Sequence, residues 1–313
     1  MTPEPLPSTD PQRSAEVVVV GNIGIDTNVY LYGADIDWNR EANFSDNRDY
    51  IGQAGGYAAR GYARLGKRTA FIGHVGADAL GGYIRETLAR DAIDTRALFT
   101  DPAGTSRSVN IMYRDGRRKN FYDGKGHMTL QLDLDICGAV LDGARLAHVN
   151  LPNWGRSLLP LAREHGVVIA CDLQDVTTLD DPYRADFLRW ADILFFSAAN
   201  QAGPQPVIEA LLRENPARVI VAGMGKDGCA LGTRQGIRYF PAVDLDLPVV
   251  DTNGAGDALA VGFLTSYVLD GYSLEDSARR GQIAARFTCA LRATSDILIT
   301  AGQLQAYWAR CAG

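Results

Sequence analysis

The sequence predicts an α/β fold, a mostly parallel central sheet with helices on both faces and a small β flap added to it. Three observations carry this. Short β-branched or apolar runs alternate with helix-like segments from residue 17 to about 292, and that alternation implies a parallel sheet covered on both sides. Residues 106–122 break the rhythm with two β-type runs around Asp115-Gly116, a strong short-range hairpin signal. The chain is 46% hydrophobic and 22% charged over 313 residues, ample for a well-buried core.

The elements follow in order. Val17 to Val20, closed by Gly21, is a buried strand. Residues 26–50 are irregular and polar, with room for short strands. Residues 55–66 form a helix opened by glycines and stopped by Gly66. A strand at 69–75 and an amphipathic helix at 80–91 precede the hairpin, whose mixed strands suit a flap rather than a buried sheet. Strands then fall at 147–151, 167–172, 193–196 and 218–222, with helices at 156–165, 183–190 and 207–214 between them. Residues 229–240 are β again. Helices close the pattern at 255–269 and 273–292. Ser273 with Asp276 resembles a capping box, with Asp in place of Glu.

The bulk properties exclude several classes. A net charge of -6 with no long Lys/Arg run is unlike a nucleic-acid binder. No apolar run approaches the ~20 residues of a membrane helix. The five cysteines are odd in number and widely spaced, which suits reduced thiols in a cytoplasmic protein. The four histidines are scattered, without zinc spacing. Residues 1–15 are proline-rich and polar with no apolar segment, the composition of a disordered tail rather than a signal peptide. Residues 16–313 contain no evident linker and read as a single domain.

Two glycine-rich turns stand out. GMGKDG, at 223–228, matches G-x-G-x-x-G after a strand, but CALGTRQGIRYF continues as β, so the helix of a dinucleotide fingerprint is missing. A turn between strands is the better reading, and such a turn can still lie against a ligand. No P-loop occurs. The second turn, DTNGAGDALAVGFL, places Gly254-Ala255-Gly256 between a strand end and an apolar helix. The first amides of a helix lack internal partners and its dipole favours negative charge. Glycines let an anion approach, which makes a phosphate site. Asp257 directly behind it would repel phosphate unless it has a task, and the natural task is to take a proton from a hydroxyl attacking that phosphate. Asp is also common in a first helical turn, so spacing alone leaves both readings open.

DTNGAGD resembles the C-terminal signature of the ribokinase-like, or PfkB, carbohydrate kinases. The resemblance runs along most of the chain: VVVVGNIGIDTN (17–28), GGYAARGYARLG (55–66), HVGADALG (74–81) and VIVAGMGKDGCALG (219–232) resemble its other segments in order. It implies a ribokinase-like α/β domain with a β lid, here from about 27–50 and 106–123, and transfer of the γ-phosphoryl group of ATP to a sugar hydroxyl with Mg2+. Carried over by position, Asp257 is the general base and the backbone of Gly254, Ala255 and Gly256 the anion hole. Asn22, Asp26, Gly55 and Gly56 meet the substrate. Gly225, Gly228, Thr252 and Asn253 lie at the nucleotide. Asp251 borders a K+-type monovalent cation site. A homodimer through the lid is implied as well.

The chain departs from the family pattern. Arg60 stands where an Asn is common, either as an outward helix arginine or as a cation reaching a substrate carboxylate or phosphate. Ser197-Ala198-Ala199-Asn200 replaces the N-x-x-E motif tied to magnesium, and the carboxylate is gone. Gly223 stands where a Thr is common and Gln174 where an Asn is. Two rival functions remain: a nucleoside kinase, with Tyr30, Tyr32, Trp38 and Phe44 available to stack a base, and a ligand-binding relative that has lost phosphotransfer.

Overall fold

The computed structural model describes residues 14–175, 181–199, 202–215 and 218–311. The expected tail lies outside them up to residue 13. Residues 14 and 15 are packed: the Ser14 carbonyl accepts from Arg68 Nε at 3.1 Å, and Ala15 lies against the core.

Thirteen strands form two sheets among the described residues. The main sheet has nine, in the order β13 (Gly236–Phe240), β12 (Cys229–Thr233), β11 (Val219–Gly223), β10 (Ile193–Ser197), β9 (Val168–Asp175), β8 (Leu146–Val149), β1 (Val17–Val20), β4 (Thr69–Gly76) and β5 (Leu98–Asp101). From β11 to β5 every pairing is parallel, and β12–β13 is an antiparallel hairpin at one edge. In β1 all four valines are buried, Val17 and Val19 in one core cluster, Val18 and Val20 in the other. Side chains alternate across a strand, so an unbroken valine run is what a sheet with two covered faces requires. Helices α1 (Gln53–Arg64), α2 (Ala79–Arg90), α7 (Ala255–Leu264), α8 (Leu274–Thr288) and α9 (Ala301–Cys311) pack on the first face. Helices α3 (Leu134–Leu141), α4 (Leu158–Glu164), α5 (Ala185–Trp190) and α6 (Gln205–Glu214) pack on the second.

The second sheet is a four-stranded lid in the order β3 (Ser45–Gly52), β2 (Gly24–Leu31), β6 (Arg107–Met112), β7 (Arg118–Asp123). The segment expected to be irregular, with room for short strands, carries most of two eight-residue strands, β2 and β3, joined by residues 32–44. The Asp115-Gly116 hairpin is present, with Gly116 at φ +86°. Ser273 caps α8, its hydroxyl accepting from Asp276 N at 3.1 Å. Residues 265–269, expected as plain helix, wind as a π-turn.

Candidate active site

The parallel strands end on one side of the main sheet, and the candidate residues gather there, as ligands do in open α/β sheets. Gly21 and Asn22 follow β1, Asn150 follows β8, and Asp172 lies near the end of β9. The chain leaves β1 directly into lid strand β2, which carries Asp26 over these strand ends.

Asp26 is buried. Its Oδ2 accepts from Gln53 N at 3.2 Å, and its Oδ1 is enclosed without a partner. Gly52 makes room for it: a Cβ there would lie 2.2 Å from Asp26 Oδ2. Burial pushes the Asp26 carboxyl up, against the pull of the Gln53 amide, Ser108 and Arg118. A Cβ on Gly55 would meet Asn22 O at 2.5 Å, so the glycine lets α1 press on the end of β1, while Gly56 packs on Ile23 and Ile51. Asn22 Nδ2 donates to Tyr122 Oη at 2.9 Å across to the lid.

Residues that the sequence reading missed complete this wall. Asn150 is 3% exposed, yet neither its Oδ1 nor its Nδ2 has a hydrogen-bond partner. A Cβ on Gly21 would lie 2.4 Å from Asn150 Oδ1. The Tyr57 hydroxyl is also buried and unpartnered. Buried polar groups are nearly always satisfied, so the orphaned atoms on Asp26, Asn150 and Tyr57 leave hydrogen-bonding capacity unused in this region. Nothing local in VNLPN singles out Asn150; only its position at the tip of a central strand does.

The second wall is the loop before α7. Gly254 caps the helix at φ +78° with no side-chain cap, and a Cβ there would strike the Tyr57 ring at 2.7 Å. Gly256 is exposed, with nothing within 4 Å of a would-be Cβ. Ala255 N turns back to Thr252 O at 3.3 Å, while Gly256 opens onto free space where an anion can approach the first turn. Asp257 sits one residue on. Burial raises its carboxyl well above the usual range, the negative charges of Asp172 and Asp26 add to this, and Arg118 opposes it. Asp172, whose Oδ1 accepts from Gln174 N at 2.8 Å, is pushed up to about 6, chiefly by burial. A carboxylate raised toward neutrality is suited to taking a proton.

Thr252 is exposed, and Asn253 is held on both sides. Its Nδ2 donates to Tyr50 Oη at 2.9 Å and its backbone N to Asp251 Oδ1 at 2.9 Å. Asp251 is buried and well supplied: Oδ2 also accepts from Tyr30 Oη at 2.6 Å and from Ala293 N at 3.3 Å. Tyr30 is therefore committed to Asp251, with the Arg292 guanidinium 4.9 Å above its ring, and is not free to stack a base. Tyr32, Trp38 and Phe44 stand exposed in and around the β2–β3 connection.

Arg60 is neither outward nor reaching for a ligand. It is 3% exposed; Nε bonds Asp91 at 2.7 Å, and Nη1 bonds Ser295 at 2.7 Å and Asp296 at 2.8 Å. Two carboxylates already answer its charge, and the expected anion-reading arginine is instead a buried clamp between α1, the end of α2 and the 295–296 segment. The cation near the acids is Arg118 on lid strand β7.

On the far side, Ala198 N donates to Gly223 O at 2.8 Å, and a Cβ on Gly225 would lie 3.5 Å from the Ala199 methyl. The altered S-A-A-N segment thus lies against GMGKDG, with Asn200 itself outside the described residues. The turn winds as one 3-10 turn, Gly225–Asp227, into antiparallel β12, so no helix opens there. Gly228 has φ +96°, and a Cβ would strike Phe240 O at 2.1 Å.

Comparison with known proteins agrees with this layout. The family described as pfkB family carbohydrate kinase matches residues 14–301. Acarbose 7(IV)-phosphotransferase of Actinoplanes sp. is 30% identical over 282 residues, covering 89% of this chain and 93% of that protein. A 5-dehydro-2-deoxygluconokinase of Geobacillus thermodenitrificans is 25% identical over 330 residues, covering 95% and 94%. Among solved structures, a microbiome-derived acarbose kinase, Mak1, superposes with a TM-score of 0.85 at 27% identity, covering 95% of this chain and all of that one. An Arabidopsis thaliana ribokinase bound to ribose and ATP superposes with a TM-score of 0.80 at 19% identity, covering 95% and 99%, a likeness of fold.

Proposed function

The chain belongs to the pfkB family of carbohydrate kinases, and from that premise we propose that it transfers the γ-phosphoryl group of ATP to a hydroxyl of a neutral, polyhydroxylated sugar or oligosaccharide. The observation that carries this is the Asp257 carboxylate, raised in pKa, directly behind an uncapped helix start whose Gly256 faces open space. The substrate hydroxyl lies between the strand-end wall and this loop. Asp26, Asn150 and Tyr57 supply unsatisfied polar atoms for the neighbouring hydroxyls. Asp257 takes the proton of the attacking hydroxyl as its oxygen bonds to the γ-phosphorus. The amides of Gly254 and Gly256 hold the phosphoryl oxygens, joined by that of Ala255 when it releases its 3.3 Å bond to Thr252 O, and the bond to ADP breaks. With Arg60 already paired, the substrate wall offers amides and an acid, which fits a neutral sugar better than a sugar acid. The acarbose kinases among the relatives make an oligosaccharide the first substrate class to try.

Magnesium, bound to the phosphates of ATP, supplies neutralisation of their charge. The fit is to a metal carried by nucleotide: no group of three His, Cys, Asp or Glu side chains is placed to hold one among the described residues, and magnesium ordinarily takes few protein ligands. The K+ site fits less well, because donors from Tyr30, Asn253 and Ala293 already occupy Asp251, and no step depends on it. A homodimer through the lid is consistent with the exposed Tyr32, Trp38 and Phe44.

The test is ADP release from Mg-ATP across a panel of oligosaccharides, simple sugars, sugar acids and nucleosides, with Asp257→Asn as control. We expect turnover on neutral sugars and a loss of roughly 10²- to 10⁴-fold in the variant. Near-normal turnover in Asp257→Asn would sink the assigned base. A nucleoside as the sole acceptor would establish the rival kinase, and ligand-dependent thermal stabilisation without ADP would establish a binding relative.

A further inference from the structure

The inner face of the lid can be read from its register. Asp26, Ser108 and Tyr122 lie across β2, β6 and β7 in one row; Asn28, Asn110 and Asn120 form the next; Tyr30, Met112 and Arg118 form the third. Positions two apart along a strand share a face, so Arg118 projects on the side that carries Asp26. The amide row is linked through: Asn120 Nδ2 donates to Asn110 Oδ1 at 2.9 Å, Asn110 Nδ2 to Asn28 Oδ1 at 2.9 Å, and Asn28 Nδ2 to Tyr30 Oη at 3.2 Å. Those amides hold the lid strands together.

Arg118 has a different partner. Its Nη1 crosses from the lid to the loop before α7 and donates to Asn253 Oδ1. Asn253 is anchored by Tyr50 and Asp251 and immediately precedes Gly254. The guanidinium is thus fixed beside the helix start by a residue that cannot swing away. Its charge is felt at both acids of the site, since Arg118 pulls the carboxyls of Asp26 and Asp257 down. Among the described residues it forms no ion pair, whereas Arg60, Arg117, Arg156 and Arg292 all do. A guanidinium bonded to a neutral amide oxygen, beside an anion site, has its charge unanswered until an anion arrives. Arginine presents several donors in a rigid fork suited to phosphoryl oxygens.

We propose that Arg118 is a catalytic residue of this kinase, a lid-borne cation that contacts a non-bridging oxygen of the transferred phosphoryl group. The inference rests on the kinase reading above. As the substrate oxygen forms its bond to the γ-phosphorus, its proton passes to Asp257 and the bond to the β–γ bridging oxygen breaks. The electron pair leaves on ADP. Arg118, held beside the start of α7, balances the charge spread over the equatorial oxygens together with the amides there.

The test separates this role from the kinase reading. Dissociation constants for ADP and for the β,γ-imido analogue of ATP, both with magnesium, are measured by calorimetry on the wild type, Arg118→Ala and Arg118→Lys. Arg118→Ala is expected to weaken the imido analogue at least tenfold and leave ADP within about twofold, with Arg118→Lys between. On an accepted sugar, turnover of Arg118→Ala falls about 10²-fold, the scale of one lost donor to a developing anion, and added guanidinium ion restores part of it. Equal effects on ADP and the analogue, or none, overturn the proposal while leaving the kinase intact. A wild type that binds neither nucleotide overturns both.

Discussion

Two glycine-rich turns follow the same α/β scaffold, and two of their glycines, Gly228 and Gly256, have opposite causes. In GMGKDG, Gly228 is imposed by the fold: φ is +96° and a Cβ would run into the Phe240 carbonyl. In TNGAGD, Gly254 is likewise imposed, by φ +78° and the Tyr57 ring, but Gly256 is imposed by nothing in the protein. It stands in the first turn of a helix, where alanine is preferred by roughly 0.5–1 kcal/mol. A glycine with a steric reason describes the chain's own packing. At a helix start beside a buried acid, one without such a reason leaves room for what approaches from outside.

Alanine at each position turns that contrast into numbers. Gly228→Ala is expected to lose roughly 2–4 kcal/mol of stability in urea unfolding, from left-handed strain and a clash with backbone that cannot move aside. Gly256→Ala is expected to unfold at the same or slightly higher urea, while kcat/KM for ATP falls roughly 10- to 100-fold because a methyl occupies the phosphoryl site. Full activity in Gly256→Ala would break the comparison, since the bare backbone would then serve no anion.

A second contrast lies between two acids of the site, Asp172 on β9 and Asp257 in the first turn of α7. Asp172 is held up at about 6, against ~3.9 for a free aspartate. Below pH 4 the folded and unfolded chains both carry it neutral, and it costs nothing. Above pH 6 the fold must bear a buried charge that the unfolded chain leaves in water, so stability is lost as pH rises between the two values. Asp172→Asn keeps an acceptor for Gln174 N and removes that cost. Thermal unfolding at pH 8 should show a gain of about 2–3 kcal/mol, from 1.36 kcal/mol per unit, vanishing near pH 4. Because Asp172 also pushes Asp257 up, the acid limb of kcat/KM should move to lower pH in the same variant. A gain of equal size at both pH values would mean that packing, not charge, separates the two residues.

The sequence made the main sheet legible because its strands are buried on both faces and alternate with helices of ordinary length. The lid was less so. β2 and β3 mix polar and apolar residues, since one face meets water and the other meets ligand, and their pairing depends on partners some 80 residues away in β6. Asp257 and its glycines were legible because they are adjacent in the chain. Asn150 and Arg118 were not, because each acquires its role from tertiary position: one at the tip of a central strand, the other in a register set by β6–β7 pairing. Arg60 misled for the same reason. Its place near the double glycine suggested a ligand, and only the fold brings Asp91 and Asp296 to it.

The smallest expected effect concerns the two acids that flank the anion loop. Asp257 faces the site with its charge opposed by burial, whereas the Asp251 carboxylate accepts from Tyr30 Oη, Asn253 N and Ala293 N at 2.6, 2.9 and 3.3 Å. Those donors stabilise its negative charge from within the chain, as a bound cation would from outside. The loop geometry therefore has support that does not depend on K+. Replacing K+ by tetramethylammonium at constant ionic strength should leave kcat within about twofold, against the much larger loss from the same loop in Gly256→Ala. In Tyr30→Phe the strongest of the three donors is gone, and activation by K+ should appear where the wild type shows none. If the wild type already requires K+, the Tyr30 bond does not substitute for the cation, and the two acids differ less than their hydrogen bonds imply.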